Sequence, residues 1–276
     1  MRTPPRCKKR AKAEVPLRGN GKAVFAKVAV RSTLHMAIRT TPGAIMEHPV
    51  FPAAALSFLS DLRQNNDRVW FSENRHYYDN VIVPALSETL AYLWEGVKDA
   101  YPDYVAIPKV NKSFYRIYRD IRFSKDKSPF KTHIGVLVYR KVRKQSPFIY
   151  LHFAPEEVFW ACGLYAPEMP LVRRYREWIA DPQINRRLGE EIERVRERYT
   201  VNEPQMKRTP REYKDVELPY PELLRYKGIY AHQDREPGVW LEKEPWLDEA
   251  IELCRYCRPF MDYIEEWADY RPGSEK

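Results

Sequence analysis

Three short apolar runs constrain the fold more than any other feature of the chain: Ile134 to Arg140, Phe148 to Ala154 and Val158 to Tyr165. Each is rich in β-branched and aromatic residues, and the polar turns between them are too short to house a crossover helix. Such runs can pair only as an antiparallel meander. Both faces of these strands are largely apolar, which predicts helices on one side and some other cover on the second.

On either side of the meander the apolar period becomes helical. Phe51, Ala55, Phe58, Leu59 and Leu62 recur at helical spacing, and Asn65-Asn66-Asp67 then supplies a stop and a fresh N-cap. A second helix carries Trp70, Phe71, Asn74 and Tyr78, and a third runs after Pro84 through Leu86, Leu90, Leu93, Trp94 and Val97. Beyond the meander, Leu171 to Ile179 and the stripe Ile184, Leu188, Ile192, Val195 and Tyr199 predict two more helices. Four prolines (Pro204, Pro210, Pro219, Pro221) mark residues 200–221 as an extended connection. Pro245 to Arg258 and Pro259 to Ala268 predict a terminal helix broken at Pro259. The expected class is α+β: an antiparallel sheet meander over about residues 112–165, packed with N-terminal and C-terminal helices in a single domain over 50–270.

The net charge of +9 is a property of one end. Residues 1–40 hold eleven Lys or Arg against the single acid Glu14, so the remainder sums to −1. Residues 1–46 are expected to be a basic disordered leader, an organelle transit segment, or upstream residues of a chain that starts at Met36 or Met46. A basic tail can grip nucleic acid, but the folded body lacks the charge for it, so nucleic acid is disfavoured there. No run reaches the roughly 18 apolar residues that a membrane helix needs, and no membrane partner is expected. Of the four cysteines, Cys254 and Cys257 continue the apolar stripe of Leu247, Ala250, Ile251 and Ile264, with no histidine or second pair nearby. They are expected to be buried thiols, as is usual for a soluble cytoplasmic protein, and no metal is expected.

Inside this slightly acidic body sits a cationic knot. Lys109 to Lys131 holds eight cations and two acids, Asp120 and Asp126. So dense a cluster repels itself unless acids or a bound anion neutralise it. Tyr115, Ile117, Tyr118 and Ile121 favour a strand, with Arg116, Tyr118, Asp120 and Arg122 on one face. Guanidinium forks suit phosphate or carboxylate, and no glycine-rich cradle accompanies them. The competing expectation is an internal salt-bridge brace.

The block Arg116-Ile117-Tyr118-Arg119-Asp120-Ile121-Arg122-Phe123-Ser124-Lys125-Asp126-Lys127-Ser128-Pro129 resembles the signature of the bacterial and fungal family called domain of unknown function 2461. Leu59 to Phe71 with Asn65-Asn66-Asp67 and Trp70-Phe71, Gly163 to Pro167, Pro221 to Lys227, and Pro259 are similar to the family as well. The resemblance spans Phe51 to Trp267. Two departures stand out: Phe130 replaces a tyrosine, and Ala161-Cys162-Gly163 replaces a more glycine-rich run. The resemblance implies the domain boundary and that the block is more than a solvated face; it implies no activity.

Nucleophile elbows, zinc-protease motifs, phosphate loops and dinucleotide fingerprints are missing, so the sequence does not decide whether the chain is an enzyme. The expected partner is a small anionic, phosphate-bearing ligand held by Arg116, Arg119 and Arg122, oriented by Asp120 and closed over by Lys125, Lys127 and Lys131. His133 and His152 are the candidate acid or base residues; His152 shares a sheet face with Phe148 and Tyr150. No cofactor is expected, and oligomeric state is left open. The alternatives are a non-catalytic protein whose block is a brace or docking surface, and a nucleic-acid-associated protein using the tail.

Overall fold

A computed structural model describes residues 53–141, 145–236 and 246–272. The leader expected over residues 1–46, and Cys7 with it, lies outside the described residues. The N-terminal helices are α1 (Ala53–Gln64), α2 (Arg68–Tyr77) and α3 (Val83–Val97). Asp67 caps α2 by accepting from the backbone amides of Val69 and Trp70, at 2.8 and 3.0 Å. A π-helical turn, Tyr78–Ile82, joins α2 to α3, with the Val83 amide donating to the Tyr78 carbonyl. The sequence predicts two helices parted near Pro84; the wider π turn instead carries the rod through.

The sheet has six antiparallel strands: β1 (Tyr104–Val105), β2 (Ile134–Arg140), β3 (Phe148–Phe153), β4 (Val158–Leu164), β5 (Thr200–Val201) and β6 (Ile229–Arg235). Their spatial order is β1-β2-β3-β4-β6-β5. The three expected runs are β2, β3 and β4, paired through Val136↔Leu151 and Leu151↔Trp160. The sequence reading missed β6, which pairs with β4 from Val158↔Arg235 to Leu164↔Ile229. Between β4 and β6 the chain forms α4 (Met169–Ile179) and α5 (Pro182–Arg196), and it ends in α6 (Trp246–Tyr256) and α7 (Arg258–Asp269).

Strand alternation divides the sheet into two unlike faces. Val136, Val138, Ile149, Leu151, Phe153, Trp160 and Ala231 are all buried in one core with Leu90 and Leu93 of α3, Leu247 and Cys254 of α6, and Phe260 and Trp267 of α7. Trp246 packs against Phe153 and Trp160, with ring centroids 5.5 and 6.2 Å apart. Cys162, Cys254 and Cys257 are buried free thiols in this layer. Among the described residues no helix is long and apolar enough to cross a membrane. The second face is lined with rings, among them Phe148, Tyr150, Phe159 and Tyr230, and it positions the site.

Candidate functional site

The floor of the site is set by register. Gly135 pairs with His152 and Leu137 with Tyr150; across β4, His152 faces Phe159, Tyr150 faces Ala161 and Phe148 faces Gly163. The alternate positions Phe148, Tyr150 and His152 therefore form one row, and Phe159, Ala161 and Gly163 the next. Glycine is required at two of these places. Gly163 has φ +143°, and a Cβ there would lie 2.4 Å from the Tyr230 Cα. A Cβ on Gly135 would lie 2.6 Å from the Tyr150 ring. The bare backbone leaves a cleft of about 470 Å³ walled by Tyr115, His133, Tyr150, Phe159 and Tyr230.

Its polar side chains are the His133 imidazole and the phenols of Tyr115, Tyr150, Tyr165 and Tyr230, with His152 packed behind. The His152 ring lies on Phe159, 4.7 Å between centroids and 8° from parallel, and the His133 ring is 4.6 Å away. The Tyr150 hydroxyl and His152 Nδ1 are 2.9 Å apart. Burial, then the charges of Lys131 and Arg119, hold the His133 pKa down at about 4. Burial, then His133, does the same to His152. Burial pushes the Tyr150 phenol up. Both imidazoles are therefore neutral at pH 7, and each offers one donor and one acceptor.

Beside this cleft runs the cationic segment, and here the structure corrects the sequence reading. Residues 116–123 are not a strand. The chain leaves the sheet after Tyr115, whose amide donates to the Gly135 carbonyl, and returns at Lys131, whose amide donates to the Ile117 carbonyl. Between these points it is a loop closed at its base by a single Tyr118↔Phe130 bridge. The cause is local chemistry: Asp120 Oδ1 accepts from the Arg122 amide and Asp126 Oδ1 from the Ser128 amide. These side-chain turns draw the backbone away from a ladder despite its β-formers.

The loop is anchored by the Asn65-Asn66-Asp67 corner that separates α1 from α2. Asn66 donates to the Phe130 carbonyl at 3.1 Å and accepts from its amide at 3.0 Å. Phe130 is 2% exposed and stacks on Phe71, 4.2 Å between centroids. Packing thus replaces whatever hydroxyl a tyrosine would bring there, and the N-terminal motif and the cationic block prove to be one structural unit.

The cations divide into two sets. Arg122 donates through Nε and Nη2 to Asp120 at 2.9 and 2.7 Å, Arg119 pairs with Asp126, and Lys127 donates to the Ile121 carbonyl at 3.0 Å. Arg122 holds the Asp120 carboxyl at about 2, and Arg119 holds Asp126 well below the usual carboxylate range. Asp120 therefore hydrogen-bonds Arg122 alone of the arginines, and Arg119, Arg122 and Lys127 are each tied to a group of the loop itself. The side chains of Arg116, Lys125 and Lys131 make no hydrogen bond or ion pair among the described residues. Lys125 is exposed on the loop. Lys131 is half-buried with its ammonium 4.7 Å from the centre of the Tyr115 ring, one of the cleft walls. Burial and then Arg116 press its pKa down.

Of the expected site residues, His133 lines the cleft, while Lys131 and His152 lie against its walls, Lys131 over Tyr115 and His152 on Phe159 and Tyr150; Arg116 is close enough to oppose the charge of Lys131. The sequence reading missed the ring walls Tyr115, Phe159 and Tyr230. Their signal was the alternation of rings with Ala161 and Gly163 on β4, which marks a strand face left uncovered. The family model for the conserved hypothetical protein DUF2461 matches residues 54–263. No curated protein matches the chain, and no solved structure does.

Proposed function

The chain belongs to the conserved hypothetical family DUF2461, and on that premise we propose that it binds a small anionic ligand on the open face of the sheet. The flat or apolar part of the ligand lies among Tyr115, Tyr150, Phe159 and Tyr230. Its negative group, a phosphate or carboxylate, meets Lys131 with Arg116 behind it. Neutral His133 and the Tyr150–His152 pair supply hydrogen bonds, and in a catalytic version of this reading His133 is the group that gives or takes a proton.

One observation carries the reading: Lys131 is a half-buried ammonium with a guanidinium nearby and no acid partner. An uncompensated charge in that position is unfavourable in the free protein and becomes favourable when an anion arrives. The test is thermal shift against phosphate esters, nucleotides and aryl carboxylates. A ligand that stabilises the parent should lose that effect in Lys131→Ala and keep it in Arg122→Ala. A panel without a single stabilising member, or equal shifts in the Lys131→Ala protein, removes the reading. The brace reading is favoured for Arg119 and Arg122 by their ion pairs, and it predicts that Arg119→Ala and Arg122→Ala each lower stability without any ligand.

A further inference from the structure

A second cleft, of about 620 Å³, opens at the other end of the same sheet face. It shares Phe148 and Tyr165 with the first, and the span from His133 to Tyr139 along β2 places the two ends about 20 Å apart. Its walls include Lys112, Tyr139, Arg140 and Ser146, and no described lining residue is a carboxylate.

Three features of this cleft are unexplained by packing. The Ser146 side-chain hydroxyl is buried, with the residue 8% exposed, and has no hydrogen-bond partner. A buried hydroxyl left unpaired is unfavourable, because it gives up its bonds to water without replacement. Arg140 donates through Nη2 to Asp269 at 3.1 Å, while its Nη1 is buried without an acceptor. Lys112 is exposed and makes no ion pair among the described residues. The Ser146 hydroxyl, the Arg140 Nη1 and the Lys112 ammonium can all donate, and none has an acceptor among the described residues.

The backbone points the same way. The non-glycine residues with positive φ among the described residues are Asn111 (66°), Gln145 (60°) and Ala166 (47°), and all three line this cleft. Such conformations are strained for side chains that do not favour them. They come from three separate segments: the turn before Phe114, the approach to β3 and the exit from β4. Gln145 is held in place by its Oε1, which accepts from the Glu168 amide at 2.9 Å and leaves Nε2 as another donor.

We infer that this cleft is a second anion-binding site, taking a phosphate or carboxylate on Lys112 and the Ser146 hydroxyl, with the rings of Tyr139 and Phe148 as the wall for an attached flat group. Its donors differ from those of the Lys131 end, so it stands or falls separately from it. The shared wall of Phe148 and Tyr165 makes the two clefts one trough, in which the site at this end binds with the field of Arg140 behind it.

The experiment is an NMR titration of the full chain with phenyl phosphate, which carries both a ring and a dianion. Backbone amides of Asn111, Ser146 and Ala166 report this end, and those of Tyr115 and His133 report the other. Saturable shifts are expected at Asn111, Ser146 and Ala166. In a Lys112→Ala/Ser146→Ala variant the affinity read there should fall at least tenfold, while shifts at Tyr115 and His133 persist; Lys112→Arg should retain binding. Both substituted side chains lack structural partners, so the variant should fold. Shifts at Ser146 that are absent, non-saturating or unchanged in the double variant overturn the inference, whatever Tyr115 and His133 do. Loss of the Tyr115 and His133 shifts in Lys131→Ala, with Ser146 unaffected, bears on the first site alone.

Discussion

At Lys131 the electrostatics of the site become a measurable trade. Its ammonium is half-buried, lies over the Tyr115 ring and faces a guanidinium in place of an acid. Lys131→Met keeps the aliphatic stem and removes the charge, so it should raise the stability of the ligand-free protein by about 1 kcal/mol, read by urea denaturation, and abolish ligand-induced stabilisation. A variant that is less stable than the parent would mean that the ammonium is satisfied as it stands. The segment's surplus of cations is plain in the sequence, and so is the suitability of arginine for an anion. The division of labour among them is not. Asp120 and Asp126 engage Arg122 and Arg119 through turns two and seven residues long, and only the folded loop shows which cations those acids leave over.

At the scale of elements, amphipathic period located the helices and β2 to β4 well, because each buries one side against a common core. The two-residue strands β1 and β5 are too short to show a period, and two longer features escaped for other reasons. The Arg116 to Phe123 run has β-forming side chains, yet aspartate side chains bonded to the backbone turn it into a loop. Strand β6 hides behind the polar residues His232, Gln233 and Asp234, and its identity comes from pairing with β4, a partner far away in the chain. That pairing depends on Gly163. Gly163→Ala places a Cβ against the backbone of Tyr230 at a φ that alanine avoids. A loss of about 3 kcal/mol or more is expected in urea denaturation, with faster hydrogen exchange along β4 and β6 than along β2 and β3. A loss below about 1 kcal/mol would show that the strands simply slide apart.

For the molecule as a whole, the two histidines tie stability to acidity. Folding holds His133 and His152 at about 4, against 6.5 for a free imidazole. The unfolded chain therefore takes up protons first as pH falls. Their contribution is intact above about pH 6.5 and is lost progressively towards pH 4, by at most about 3 kcal/mol for each. Chemical denaturation between pH 7 and pH 4.5 should show this slope, and His133→Gln should flatten it; an unaltered slope would place the acid sensitivity elsewhere. An anion bound beside Lys131 offsets the cation that holds His133 down, so the same ligand should raise the His133 pKa.

The late pairing of β6 with β4 has a consequence during synthesis. When β2, β3 and β4 have left the ribosome, the strand that completes the sheet is still to be made, because residues 165–228 come first. At about 5–20 residues per second, that interval lasts roughly 3–13 s. For those seconds the nascent chain carries an unpaired edge flanked by tryptophan and phenylalanine, a ready template for aggregation. Helices α4 and α5, which emerge in that interval, are the first of its own segments able to shield it, and truncations ending before Ile229 should recruit chaperones where the complete chain does not.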